Sequence, residues 1–194
     1  TGPVYEKLLG PNSTTEQRRE LYAKYLAAKT EFWRAHRACA GVLHFCGLGY
    51  SRSGDKPRPE GGATSDHFIN MEKLKFEPLF EKHLRDAFSP VGIMLDYWGQ
   101  DLPAGREVGI KAIAINDLYD AWQGTMRVTL AKNGKTVVSR DIPCTIEGLG
   151  SKDLSCALRV PSEPGDYVMT AALIARGDKP VRSIRDAKVV EANQ

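Results

Sequence analysis

Residues 125–142 read Thr-Met-Arg-Val-Thr-Leu-Ala-Lys-Asn-Gly-Lys-Thr-Val-Val-Ser-Arg-Asp-Ile. Met126, Val128 and Leu130 alternate with Thr125, Arg127 and Thr129, which gives a strand one apolar face and one wet face. Asn133-Gly134 follows, and both residues tolerate the positive φ of a tight hairpin turn. Val137 to Ile142 then runs back as the partner strand. The same period extends outward. Val91–Trp98 and Arg106–Ile115 precede the hairpin, with Asn116-Asp117 as a turn. Leu154–Val160, Tyr167–Ala175 and Val181–Val190 follow it, parted by Pro161-Ser-Glu-Pro-Gly165 and Arg176-Gly-Asp-Lys-Pro180. About seven short strands with regular turn signals predict an immunoglobulin-like antiparallel β-sandwich.

Upstream the period is helical. Ser13-Thr-Thr-Glu16 has the pattern of a capping box. Leu21, Tyr25, Ala28, Phe32, Ala35 and Cys39 then recur at steps of four and three, one face of a long helix ending near Ala38–Ala40. Glu16, Arg18, Arg19, Glu20 and Lys24 fall on its wet side. Thr1–Asn12 reads as loop because of Gly2-Pro3 and Gly10-Pro11. Val42–Cys46 reads as a buried strand, apolar on both faces apart from His44. A polar loop runs from Ser51 to His67. Asn70 is a candidate cap for a short helix, and Pro78 suits the first turn of a helix whose apolar positions are Leu79, Phe80, His83, Leu84, Ala87 and Phe88. Helix followed by buried strand is half of an α/β unit, whose other members are missing from the chain.

Charge and composition exclude several classes. The 194 residues carry a net charge of +3. Arg18-Arg19, Arg34 with Arg37, and Lys179–Arg185 are small basic clusters that read as solvated faces. No focused basic surface suggests a nucleic-acid partner. No apolar run nears the ~20 residues of a membrane helix, so no membrane partner is expected. The four cysteines form no C-x-x-C pair, and no histidine sits at metal-finger spacing, so no structural zinc is expected. Cys39 and Cys46 read as buried thiols; Cys144 and Cys156 lie on successive predicted strands, where either free thiols or a disulfide fits. His36 with His44, and Asp66 with His67, lack a third ligand at fixed spacing, so no metal or other cofactor is expected. Gly49-Tyr50-Ser51-Arg52-Ser53 is not a nucleophile elbow. Trp98 and Trp122 read as sandwich core or packing between units rather than as a carbohydrate platform. The chain begins at Thr1 with no secretory h-region. A leader lost upstream would imply a periplasmic or secreted protein.

Three segments together resemble the C-terminal part of a family 2 glycoside hydrolase, the group of β-galactosidases, β-glucuronidases and β-mannosidases. Phe32-Trp-Arg-Ala-His-Arg37 through Gly41-Val-Leu-His-Phe45 resembles the helix and eighth strand that close the catalytic (β/α)8 TIM barrel. Phe76-Glu-Pro-Leu-Phe80 through Leu84-Arg-Asp-Ala-Phe-Ser-Pro90 resembles the last barrel helix and its exit. Ile113-Ala-Ile-Asn-Asp-Leu-Tyr-Asp-Ala-Trp-Gln-Gly124 and the strand after it resemble the Asn-Asp turn of the C-terminal sandwich.

The resemblance implies an α+β composite: residues 1–88 as the end of the barrel and residues 89–194 as the sandwich. It implies retaining hydrolysis of O-glycosyl bonds by two glutamates, both lying before Thr1, so that no catalytic residue is expected in this chain. Glu6 lacks the strand that would make it the nucleophile. Barrel sites open at the C-terminal ends of the strands. His44, Tyr50, Arg52 and Asp66 would therefore face a carbohydrate substrate, Tyr50 stacking on a sugar and Arg52 holding a hydroxyl or carboxylate. The eighth strand often ends in a tryptophan, absent here, which leaves the sugar open. The implied partners are the substrate and the remainder of the barrel. Two other readings of the residues stand beside this one: a non-catalytic carbohydrate- or protein-binding sandwich, and a small enzyme built on His44–Arg52.

Overall fold

The computed structural model describes residues 2–37, 41–42, 67–70 and 73–192. In chain order the elements are α1 (Gly2–Leu9), α2 (Thr15–His36), β1 (Phe68–Asn70), β2 (Lys75–Phe76) and α3 (Pro78–Ala87). There follow β3 (Val91–Leu95), β4 (Leu102–Pro103), β5 (Glu107–Asn116), β6 (Trp122–Lys132) and β7 (Lys135–Ile146). The last three are β8 (Ser151–Arg159), β9 (Gly165–Ile174) and β10 (Val181–Val190).

Most of the described chain is sheet. A five-stranded sheet has the order β4-β10-β9-β6-β7, and a three-stranded sheet has the order β3-β5-β8. Pairing is antiparallel except between β4 and β10, which run parallel. The two sheets bury their inner faces against each other. Met126, Val128 and Leu130 of β6 share one apolar core with Ile93, Leu95, Ile110, Leu158, Met169 and Val189. This is the packing of a β-sandwich, and it follows from the alternation along each strand. At the hairpin, Asn133 (φ 51°) and Gly134 (φ 76°) both take the left-handed backbone that a two-residue turn demands.

β3 differs from the other strands, since all five of its residues are buried. Ile93 and Leu95 enter the sandwich core, while Met94 on the opposite face meets Ile115 and Ala35 of α2. The long helix thus lies over the outside of the smaller sheet, and α3 joins it beside β10.

Several expectations from the sequence shift. Gly2–Leu9 is helix rather than loop, closed by Gly10, whose amide donates to the Glu6 carbonyl at 2.9 Å. The capping box of α2 is Thr14 with Gln17, one residue along from the Ser13–Glu16 pattern. The helix stops at His36, and Arg37 takes the left-handed cap conformation. Asn70 ends a short strand and accepts from the Lys73 amide at 2.8 Å, so it caps no helix. Glu77 caps α3 instead, with Pro78 in the first turn as expected. The strand expected at Val42–Cys46 lies outside the described residues except for Val42, which with Gly41 is not in a strand. No (β/α)8 barrel unit is seen among the described residues.

Candidate functional site

All four expected substrate-facing residues, His44, Tyr50, Arg52 and Asp66, lie outside the described residues. The described chain instead concentrates its charged and aromatic chemistry along the seam between α2 and the sandwich.

The seam starts from the sequence of α2. Lys24, Ala27, Glu31 and Arg34 recur at steps of three and four, so they share one face. The small residues Ala23, Ala27 and Ala35 are buried and let the helix approach closely. Glu31 is only 3% exposed. Its Oε2 accepts from Ser183 Oγ and from Arg185 Nη2, each at 2.7 Å. Ser183, fully buried on β10, accepts in turn from the Leu95 amide of β3 at 2.9 Å. One carboxylate therefore ties the helix to both sheets. Burial pushes the Glu31 carboxyl above its usual range, outweighing the downward pull of Arg185 and Ser183.

Two further clamps flank it. Asp86 on α3 accepts from the Arg182 amide at 3.2 Å and from Arg182 Nε at 2.8 Å. Arg34 donates to the carbonyls of Ala87 (2.5 Å) and Ser89 (2.7 Å) and to Asp117 Oδ2 (2.8 Å). Arg37 donates to Asp117 Oδ1 at 2.9 Å and to the Gly150 carbonyl at 3.0 Å. Gly92 makes room for this, because a Cβ there would sit 2.9 Å from Arg34 Nη1.

The Asn-Asp turn is what presents Asp117. Asn116 is fully buried, donates from Nδ2 to the Asp120 carbonyl at 2.8 Å and accepts from the Leu118 amide at 3.0 Å. Its side chain thus holds the turn from inside while Asp117 points its carboxylate at the two arginines. Gly148 is required beside it, since a Cβ would lie 1.8 Å from the Tyr119 carbonyl oxygen. The basic clusters Arg34–Arg37 and Lys179–Arg185, expected as solvated faces, are therefore corrected: four of their arginines build the seam.

Next to the clamps a groove of about 680 Å³ opens between α2, the turn after β3, and β10. Leu21, Tyr25, Ala28 and Phe32, the face of α2 expected to be buried, line it. Tyr25 is 60% exposed. On the opposite wall Trp98 is 48% exposed. Its Nε1 donates to Asp96 at 2.8 Å, and its amide donates to Gln100 Oε1 at 2.9 Å. The Arg185 guanidinium stacks 4.9 Å from its ring centroid, and Phe32 meets it edge-on at 5.9 Å. Trp98 thus packs where α2 meets β10, and Trp122 packs on the sandwich core.

Other candidate groups are structural. His36 bonds the Phe32 carbonyl within its own helix at 2.8 Å. His67 is buried, 3.0 Å from Tyr22 Oη and stacked on Phe80. His83 is buried with no partner for Nε2, and desolvation pushes its pKa down. Among the described residues no group of three or more potential metal ligands occurs. Cys144 and Cys156 are free, buried thiols on strands of opposite sheets, with burial pushing both pKa values up. They are poor nucleophiles for that reason. Among the described residues no helix is long and apolar enough to cross a membrane.

The clamp residues escape a sequence reading because charges at helical spacing look like a wet face. The signal that could have found them is the alanine stripe interrupted by Glu31, which marks a close approach with a carboxylate inside it.

No family model and no curated protein matches this sequence. Among solved structures the chain is similar to a β-glucosidase from Listeria innocua, at 12% identity and a TM-score of 0.42 over 54% of this chain and 16% of that one. It is similar to a family 123 glycoside hydrolase from Clostridium perfringens, at 10% identity and a TM-score of 0.40 over 53% of this chain and 28% of that one. It is also similar to a sporulation control protein from Bacillus subtilis, at 14% identity and a TM-score of 0.42 over 53% and 49%. The chain spans under a third of either hydrolase. Carbohydrate enzymes recur among these neighbours, but at such scores the likeness carries no argument about family or activity.

Proposed function

We propose that this chain is the C-terminal, non-catalytic portion of a retaining glycoside hydrolase acting on O-glycosyl bonds. Residues 1–88 would be the closing end of its (β/α)8 barrel and residues 89–194 an immunoglobulin-like sandwich. The observation that carries the reading is the grip of Arg34 and Arg37 on Asp117. It joins two segments that each resemble the family separately, the barrel helix and the Asn-Asp turn. The parallel β4–β10 pair, and the crossing of the chain to β8 in the smaller sheet before β9 returns beside β6, favour the immunoglobulin-like assignment.

On this reading the chain does no bond cleavage. The two glutamates belong to barrel strands upstream of Thr1. The sandwich braces α2, and α2 leads into the segment bearing His44, Tyr50, Arg52 and Asp66, which would line the pocket rim. A rigid brace matters because small misplacement of a positioning group costs rate steeply. The test is a set of aryl β-glycosides incubated with the pure chain. No release of the aryl group above buffer is expected, and steady turnover would sink the proposal.

A further inference from the structure

We infer that the corner where α2, α3 and β10 meet is the binding site of one structural water, held by His83, Glu31 and Asp86 together. The corner contains a cavity of about 10 Å³. That is room for a single water and for nothing larger. His83 and Asp86 line it from α3, one turn apart, with Glu31 on α2 and Arg182 on β10. All three binding groups are short of partners. His83 is only 6% exposed, and its Nε2 meets no protein donor or acceptor. Leaving such a buried atom dry is costly, and native interiors nearly always supply a partner. Both bonds made to Glu31 fall on Oε2, and both made to Asp86 fall on Oδ2. Glu31 Oε1 and Asp86 Oδ1 therefore keep lone pairs for another donor.

One water meets all three needs. It accepts from His83 Nε2–H and donates one O–H to Glu31 and the other to Asp86. Three bonds are what a buried water usually makes. Besides burial, the Asp86 charge helps to push the Glu31 carboxyl up, so the two carboxylates repel each other. A donor placed between them relieves that repulsion. A cation is not called for, because Lys24, Lys82 and Arg182 line the same corner as the two carboxylates. Proton balance then fixes the histidine tautomer. A water has two protons, and with both given to carboxylates it meets His83 only by accepting. The ring proton is therefore on Nε2, and Nδ1 is bare. The water joins α2 to α3 alongside the direct clamps of Glu31 on Arg185 and Asp86 on Arg182. The site does not rest on the glycosidase reading.

The test combines a high-resolution crystal structure of the full chain, nitrogen NMR of its imidazole rings and magnetic relaxation of water oxygen, which counts long-lived waters. The crystal should show one oxygen-sized peak within about 2.7–3.2 Å of His83 Nε2 and of the free oxygens of Glu31 and Asp86. The ring of His83 should carry its proton on Nε2 at neutral pH. His83→Leu should lose one long-lived water, whereas His83→Gln, which keeps an amide donor, should retain it. The inference is overturned by a dry corner, by a direct protein partner for His83 Nε2, by a peak with the short bonds of a metal ion, or by a proton on Nδ1. An equal water count in the unaltered chain and His83→Leu would overturn it too. All but that last result are read on the unaltered chain, so a variant that fails to fold leaves the test standing.

Discussion

The interior of the sandwich and the Glu31–Arg185 centre of the seam with α2 are both buried, but they are held by opposite means. The interior is apolar throughout, with Met126, Val128 and Leu130 fully covered by strands from both sheets. The seam is ionic: Glu31 with Arg185, Asp86 with Arg182, and Asp117 between Arg34 and Arg37. An apolar interior tolerates changes that conserve volume and loses stability in graded steps. A buried ion pair adds little net stability but is costly to break on one side. The sandwich therefore sets how stable the molecule is, and the seam sets where the helices sit.

Breaking one side of the seam should have the largest effect. Glu31→Ala strands Arg185 in a buried site and is expected to cost about 3–5 kcal/mol, read as a lowered midpoint in urea unfolding. Replacing the set together, as Glu31→Leu with Arg185→Met and Ser183→Ala, should recover most of that loss, because no charge is left unpaired. If the triple variant is as unstable as Glu31→Ala, packing rather than charge governs the seam.

In the interior, Leu130→Ala should cost about 2–5 kcal/mol through lost burial and the cavity left behind, measured the same way. Leu130→Met should cost under about 1.5 kcal/mol, since it keeps the volume. Sharpness at Leu130 matching that at Glu31 would erase the distinction between the regions.

This contrast also explains what the sequence revealed. Most of the longer strands were legible because each has one apolar face, so period-two alternation states burial directly; β3, buried on both faces, is the exception. β3 and β5 to β10 fall where the alternation and turn residues put them, to within a few residues; the short β1, β2 and β4 were missed. α2 was legible as a helix but only partly in its facing: Ala35 is buried and Phe32 packs beside it as expected. Leu21, Tyr25 and Phe32 were the expected buried face, yet they line an open groove, while Glu31 and Arg34 turn inward. Burial of a charge depends on a partner far along the chain: Arg185 lies 154 positions from Glu31. No local pattern encodes that. The Asn-Asp turn was legible as a turn, but its role in receiving Arg34 and Arg37 needed the fold.

Smaller effects test the periphery of the seam. Asp117 is about half exposed, so Asp117→Ala should cost about 1 kcal/mol or less. Its clearer consequence should be faster amide exchange at the C-terminal end of α2, since two arginines lose their shared carboxylate. Unchanged exchange there would remove Asp117 from the clamp.

The smallest effect is a pH dependence at His83. Its folded pKa lies below the ordinary 6.5, through desolvation first and then repulsion from Lys82 and Lys24. The folded state thus prefers the neutral ring. Stability from this source is fully present above 6.5 and is lost as pH falls through 6.5 toward the folded value. The raised Glu31 carboxyl acts with the opposite sign, contributing stability at low pH that is lost as pH rises through its folded value. His83→Gln should flatten the acid-side decline in urea midpoint, leaving the Glu31 contribution. An unchanged decline would assign it to other groups.

Charge clamps of this kind should make helices and sandwich one cooperative body. Native-state hydrogen exchange of the full chain in increasing urea tests it directly, comparing amides of α2 with those of β6. The clamped seam predicts that the most protected amides of both exchange with the same opening free energy and the same urea dependence. A lower opening free energy in α2, reached while β6 stays closed, would contradict it.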